Sequence, residues 1–276
     1  MGAAQTLKTL RNSVAGMESV QGMIRRGTRA GLVPRGLRRW LPPLGTHPLS
    51  TPLGHEFLYF AHLDDMLARS LVWDNLAEWE RTTVELVSRF ASGAELVVDV
   101  GAYTGIYSLI ACADGARQVV AVEPNAGILP FLRKNIALNG WEQRVEVIAK
   151  GASSAPGTAR LSVPSDTTAA SVSLDGQGGQ VIELCTIDQV VGDRRVDLIK
   201  IDAEGHELAV CQGAIGTLRR CRPPLIIEAF GDEPFVGLWD LLSPLGYRSC
   251  QHIGPRGLVE TRGAIDTPCF ANYLWT

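Results

Sequence analysis

From Leu96 onward the chain alternates short apolar runs with stretches whose apolar residues recur at helical spacing. Leu96–Val100, Val119–Glu123, Val145–Ile148, Leu198–Asp202 and Leu225–Glu228 read as strands, with 104–113, 126–139 and 206–219 as helices between them. Runs that are apolar on both faces belong to strands covered on both sides, and β-α alternation implies a parallel sheet with right-handed crossovers. The pattern predicts a doubly wound α/β domain. Upstream, Trp73, Leu76, Trp79, Val84, Leu86, Val87 and Phe90 fall near helical spacing, and Ser92-Gly93 would close a helix over 73–92. Between 153 and 180 the residues turn to Ser, Thr, Gly, Ala and Asp. The β-prone flanks 158–163 and 180–185 predict an inserted β-hairpin, whose loop is either a substrate lid or a solvated connection.

Pro42, Pro43 and Gly45 stop any preceding helix. They divide the chain into a basic N-terminal extension over 1–45, partly helical or flexible, and a main domain over 46–276. Lys8, Arg11, Arg25, Arg26, Arg29, Arg35, Arg38 and Arg39 face only Glu18 in that extension, while the net charge of the whole chain is −3. An acidic body with a basic leader does not suit a nucleic-acid platform, which needs its positive charge on the folded surface. No stretch approaches the ~18 apolar residues of a membrane span. The six cysteines form no C-x-x-C pair and no zinc-spaced cluster, so they read as scattered thiols of a reducing cytoplasm. The leader is similar in composition to a transit peptide, although a helical or frayed extension is the simpler reading.

Chemistry concentrates first at Val97-Val98-Asp99-Val100-Gly101-Ala102-Tyr103-Thr104-Gly105, a strand entering a glycine turn that opens a helix. Doubly wound sheets bind nucleotide-like ligands at such turns. In the dinucleotide fingerprint the second glycine lets backbone approach a pyrophosphate. Tyr103 fills that place here, and Asp99 sets a carboxylate where phosphate would be repelled. A cationic ligand would be attracted instead, as S-adenosylmethionine would with its ammonium and sulfonium. Glu123, 22 residues after Gly101, ends the second strand where a carboxylate can accept from both ribose hydroxyls. Gly151-Ala152-Ser153 offers small residues for an adenine edge and a hydroxyl for a ring nitrogen.

The second cluster, Asp197-Leu198-Ile199-Lys200-Ile201-Asp202-Ala203-Glu204-Gly205-His206-Glu207, ends an apolar strand in carboxylates at the same sheet edge. Such a group can set the pKa of a base or hold a divalent cation. The alternative is that Asp202 or Glu204 caps the next helix, while Glu207 pairs with a solvent-facing base. Glu228 closes the next strand, and His206 has a pKa suited to base work but sits at a helix N-terminus, which disfavours its protonated form.

These stretches resemble the FkbM-type family of S-adenosylmethionine-dependent methyltransferases. The matching residues are Val98–Gly105 with Ile106-Tyr107-Ser108, Glu123-Pro124-Asn125, Asn135-Ile136-Ala137-Leu138-Asn139, Thr186-Ile187-Asp188, Asp197–Glu207 and Pro224–Glu228, in order over roughly 79–230. The resemblance implies that the domain over 46–276 is a Rossmann-like methyltransferase domain. Its cofactor set would be Asp99, Gly101, Tyr103, Thr104, Gly105, Ser108, Glu123, Asn125, Ala152, Ser153 and Asp202. Asp202, Glu204, His206 and Glu228 would line the transfer site, with Asp202 first as base. The glycine turn and Gly151–Ser153 are also similar to catechol-type O-methyltransferases, where a carboxylate at Asp202's position binds magnesium; the Asp-Asn pair expected after the fifth strand is replaced by Glu228-Ala229-Phe230, and no metal ligand is assigned. The implied reaction is O-methylation of a small-molecule acceptor such as a sugar or secondary metabolite. N-methylation, a non-catalytic cofactor-binding protein and an NAD-dependent oxidoreductase are the alternatives. Neither a nucleic-acid nor a membrane partner is expected, and a homo-oligomer is left open.

Overall fold

The computed structural model describes residues 18–29, 32–34, 42–62, 65, 67–74, 76, 80–162, 171–173, 179–229, 231–263 and 271–276. The chain divides into two compact units, Met1–Arg81 and Thr82–Thr276. The first contains α1 (Glu18–Arg29), a hairpin of β1 (Gly45–Ser50) and β2 (Glu56–Ala61), and α2 (Ala68–Asp74). Alternate residues of β2 are buried, and Tyr59 donates its hydroxyl to Asp65 at 2.6 Å. Asp65 also accepts from the amides of Leu67 and Ala68, which fixes the entry to α2.

The helix expected over 73–92 is two helices. α2 ends at Asp74, and α3 begins at Arg81 and runs to Ala91. Leu76 and Glu80 between them have φ of 65° and 39°, left-handed values that no α-helix can contain. The apolar spacing ran across a break because both flanks are buried, Trp73 and Leu76 on one side and Val84 and Val87 on the other. Trp79 lies outside the described residues.

The second unit contains an eight-stranded sheet. After α3 come β3 (Leu96–Val100), α4 (Ile106–Ala113), β4 (Gln118–Val122), α5 (Leu129–Leu138) and β5 (Val145–Ile148). A separate four-stranded sheet follows, from β6 (Gly151–Ala152), β7 (Gly157–Ser162), β8 (Ser171–Ser173) and β9 (Gln180–Cys185). The chain continues through α6 (Ile187–Val191), β10 (Leu198–Ile201), α7 (Glu207–Gln212), α8 (Ile215–Cys221), β11 (Leu225–Ala229), α9 (Asp232–Leu242), β12 (Cys250–Gly254), β13 (Gly257–Glu260) and β14 (Ala271–Trp275).

The large sheet has the order β13-β12-β14-β11-β10-β3-β4-β5, parallel from β11 to β5 and antiparallel beyond. The chain leaves β3 outward through β4 and β5, then returns to lay β10 and β11 on the other side of β3. The strand order therefore reverses between β3 and β10, and the crevice at their carboxyl ends is where such sheets take ligands. β3 and β10 are buried along their whole lengths. Each of Val98, Val100, Ile199 and Ile201 is at most 2% exposed, worth ~1.5–3 kcal/mol of burial apiece as an upper bound.

The inserted hairpin is present as β7 paired antiparallel with β9. β8 pairs with β7, and Ala159, Leu161, Ile182 and Leu184 form a small core of their own. Residues 163–170 and 174–178, on which the lid was expected, lie outside the described residues. The helix expected over 206–219 breaks at Gly213. Its carbonyl accepts from the amide of Asp188 instead of continuing the ladder, and a Cβ at that glycine would lie 2.0 Å from the Ser153 carbonyl. Asp188 then accepts from Gly216 and Thr217 amides and the Thr217 hydroxyl, so the Thr186-Ile187-Asp188 stretch fastens α8 to α6.

No helix among the described residues is long and apolar enough to cross a membrane. The described cysteines, Cys112, Cys185, Cys211, Cys221 and Cys250, form no disulfide.

Candidate active site

The turn after β3 is fixed by backbone contacts that only glycine permits. Gly101 and Ala102 amides both reach the Val122 carbonyl, and the Asp202 amide reaches the Val100 carbonyl. Gly101 has φ of 75°, and a Cβ there would stand 1.8 Å from the Asp202 carbonyl oxygen. Two strand ends thus cross almost in contact, which places the carboxylate-bearing loop after β10 directly beside the glycine turn. Tyr103 follows in the left-handed region at φ 50°, half-buried, where the second glycine of a dinucleotide site would be.

Each predicted residue can now be placed. Asp99 is 1% exposed and its Oδ2 accepts from the Ser108 amide at 3.0 Å and hydroxyl at 2.6 Å. The carboxylate therefore pins the first turn of α4 and favours its positive end. Burial pushes it up to about 6 against the opposing pull of Ser108 and Lys200. Thr104 and Ser108 are fully buried, and Ser108 ties the first turn of α4 to Asp99. The Thr104 carbonyl accepts from the buried Asn135 amide at 2.8 Å, a brace from α5 whose role the sequence motif alone did not show. Gly105, at φ 91°, is the left-handed N-cap of α4.

Glu123 ends β4 with its carboxylate turned onto the same turn. Oε2 accepts from the Tyr103 amide at 2.8 Å and Oε1 from the Asn125 amide at 2.7 Å. It is 6% exposed, and burial pushes it up to about 7 although both amides pull the other way. Each oxygen keeps a further lone pair for a ligand donor. Asn125 turns its own carbonyl to the Gly127 amide, an Asx-turn that starts the path to α5.

On the other side, Ser153 Oγ and His206 Nε2 are 2.9 Å apart, joining two residues that had been expected in separate subsites. Ala152 and Ser153 are both buried. His206 has its basicity lowered by burial and occupies the N-cap of α7, so it stands as a neutral imidazole engaged with a hydroxyl. Glu204 is half-buried at φ 49°, and burial followed by repulsion from Asp202 and Glu207 raises its pKa. Glu207 corrects the expectation of a solvent pair. It is 2% exposed, and its Oε1 accepts from the Gly205 and Ala203 amides, because the loop's inward-facing amides need an acceptor. Glu228 is half-buried near the end of β11, in register with Asn272 of β14.

Asp202 sits at the rim with its side chain 32% exposed, and its Oδ2 is 3.8 Å from the Lys200 ammonium. These residues do not fit a magnesium site. A fixed cation stands where a second anionic ligand is needed, and among the described residues no group of three or more His, Cys, Asp or Glu is placed to hold a metal.

The chain is 33% identical over 97 residues to protein arginine N-methyltransferase 6 of Danio rerio, covering 34% of this chain and 27% of that protein. Among solved structures it is similar to methyltransferase FkbM from Methylobacillus flagellatus KT, at 19% identity and TM-score 0.46 over 79% of this chain and 56% of that one. It is also similar to an SAM-dependent methyltransferase from Agrobacterium tumefaciens, at 16% identity and TM-score 0.43 over 84% of this chain and 69% of that one. The chain thus spans little more than half of the first structure's length and about a quarter of the arginine methyltransferase's. The methyltransferase FkbM domain model matches residues 99–249, more than half of the chain, from the buried Asp99 through both carboxylate loops. The chain belongs to the FkbM methyltransferase domain family.

Proposed function

We infer that the protein transfers the methyl group of S-adenosylmethionine to a hydroxyl oxygen of a small molecule such as a sugar or secondary metabolite. The observation that carries this reading is the convergence of Glu123 and Asp202 on the Gly101 turn, with Tyr103 in place of the glycine a diphosphate would need. The arrangement suits a cationic nucleoside. Glu123 has lone pairs free for a ribose diol, Ala152 and Ser153 border a slot for a flat base, and Asp99 and Asp202 supply carboxylates, with the neighbouring Lys200 ammonium buried rather than presented to a phosphate.

When bound, the cofactor supplies an electrophilic methyl carbon on a positively charged sulfur. The chain's task is then to hold an acceptor oxygen at ~3–3.5 Å in line with that carbon, exclude water and take one proton. Asp202 is the first choice for the proton, being at the rim and partly solvated, with Glu204 and Glu228 next. A nitrogen acceptor is the second reading, favoured by the 33% identity to a protein named as an arginine N-methyltransferase. An amine needs less help from a base.

The test incubates the protein with isotopically methyl-labelled S-adenosylmethionine and a panel of hydroxylated and amino acceptors, with mass-spectrometric readout. Label on oxygen supports the first reading and label on nitrogen the second. Calorimetry showing NAD bound and S-adenosylmethionine not bound would remove both. Glu123→Ala should weaken cofactor binding by ~100-fold, the loss of two charge-assisted hydrogen bonds; unchanged affinity would remove the ribose assignment.

Glu123 also predicts a pH dependence. Diol donors need the ionised carboxylate, and the free group is pushed up to about 7 by burial. Cofactor affinity should therefore rise by ~10-fold between pH 6 and pH 8, with proton release on binding near neutrality. The sign for the free protein is opposite. A carboxyl raised from 4.5 to about 7 contributes stability that is complete below pH 4.5 and lost as pH rises through 7. Titrations in buffers of different ionisation enthalpy check this, and heats independent of buffer would contradict it.

A further inference from the structure

Lys200 has no part in the cofactor reading, yet it is one of the largest fully buried side chains, at 1% exposure. An ammonium costs several kcal/mol to bury unless it is well paired. Strand alternation turns it away from Ile199 and Ile201, which lie in the core beneath α7 and α8, and onto the face it shares with its register partner Asp99. α4 covers that face. The Tyr107 ring centroid lies 5.4 Å from Lys200 Nζ, within cation–π range. Nζ donates to the Ile201 carbonyl at 3.3 Å, and Asp99 lies close enough for its own carboxyl to be pulled down by the ammonium. Lys200 Nζ also lies 3.8 Å from the Asp202 carboxylate, which is 32% exposed and next in chain to the end of β10. A cation fixed by a ring, a backbone carbonyl and a buried anion thus faces the group assigned to the proton.

We propose that Lys200 is a positioning residue, whose clamped ammonium holds the Asp202 carboxylate at the sheet edge beside the methyl group to be transferred. This rests on the transfer-site reading of Asp202. The need for such an anchor follows from the local chain. Backbone contacts hold the main chain on both sides, the Asp202 amide on Val100 and the loop beyond it on Glu207, but they do not fix the rotamer of a side chain that is 32% exposed, and small misplacements at a transfer site are expensive in rate. A lysine suits the slot because its charge is compact and its stem is apolar, so the same side chain fills the space under Tyr107 and delivers a point charge at the rim.

The test needs no acceptor. S-adenosylmethionine carrying carbon-13 in its methyl group is bound to the full chain and its methyl resonance recorded by NMR. Asp202→Asn should displace the resonance. Lys200→Met should displace it in the same direction by at least half as far, with cofactor affinity within about threefold of wild type. In the Asp202→Asn background Lys200→Met should add no displacement. A resonance unmoved by Lys200→Met, or displacements that add, overturn the proposal. If Asp202→Asn itself leaves the resonance in place, the Asp202 reading fails, and the two failures are thereby told apart. Should Lys200→Met not fold, Tyr107→Leu keeps the charge and removes the ring. A smaller displacement in the same direction that vanishes in the Asp202→Asn background supports the proposal, and an unmoved resonance overturns it.

Discussion

Asp202→Asn should lower turnover by ~10²–10⁴-fold, far more than it lowers cofactor affinity. The argument is one of placement. The Asp202 amide is fixed on the Val100 carbonyl, so its Cα cannot move independently of β3, and only its side chain faces the crevice. Asparagine keeps the shape and the backbone contacts and removes the charge and the basicity. If Asp202 took no proton, the variant would differ from wild type mainly in its field on the sulfonium, and affinity would fall with turnover. A parallel loss of both would thus reassign Asp202 to cofactor attraction, and wild-type turnover would remove it from the mechanism. The measurement is steady-state kinetics on the acceptor identified by the labelling screen, alongside calorimetry with S-adenosylmethionine.

Gly101→Ala should abolish cofactor binding and destabilise the fold by ~3 kcal/mol or more. Two independent penalties combine. The residue holds φ of 75°, which an L side chain rarely adopts, and its new methyl would meet the Asp202 carbonyl at 1.8 Å, where no relaxation of a flexible side chain can relieve the clash. Either β3 and β10 must separate at their ends or the turn must change shape. Both responses move Tyr103 away from Glu123. Thermal melting and calorimetry check it. A variant that melts with wild type and binds cofactor normally would show that the close approach does not govern the site.

Much of this was legible in the residues. The apolar runs located the five parallel strands to within a residue at each end, because their mostly apolar residues stand out from the polar turns around them even with Asp99, Glu146, Lys200 and Glu228 among them. The helices were less clear. Gly213 looks like any helical glycine until Ser153 and Asp188 are seen to need its close approach and its carbonyl. Leu76 and Glu80 carry no sign of left-handed backbone at all. At the site, residue types identified the edge of the sheet but not the partners. Glu207 reads as a surface residue because the donors to its carboxylate are backbone amides, which are the same in every sequence. Ser153 and His206 are 53 residues apart, and only the packing of α7 against β6 joins them. In the sequence Lys200 stands as one charge among several between Asp197 and Glu207. A lysine inside an apolar run was the signal that could have singled it out.

The four strands from β6 to β9 hydrogen-bond among themselves, and β7 and β9 share a miniature core that is distinct from the interior beneath β3 and β10. A change in β7 or β9 is therefore expected to be absorbed within this small core and to spare the interior beneath β3 and β10 and the crossing at Gly101.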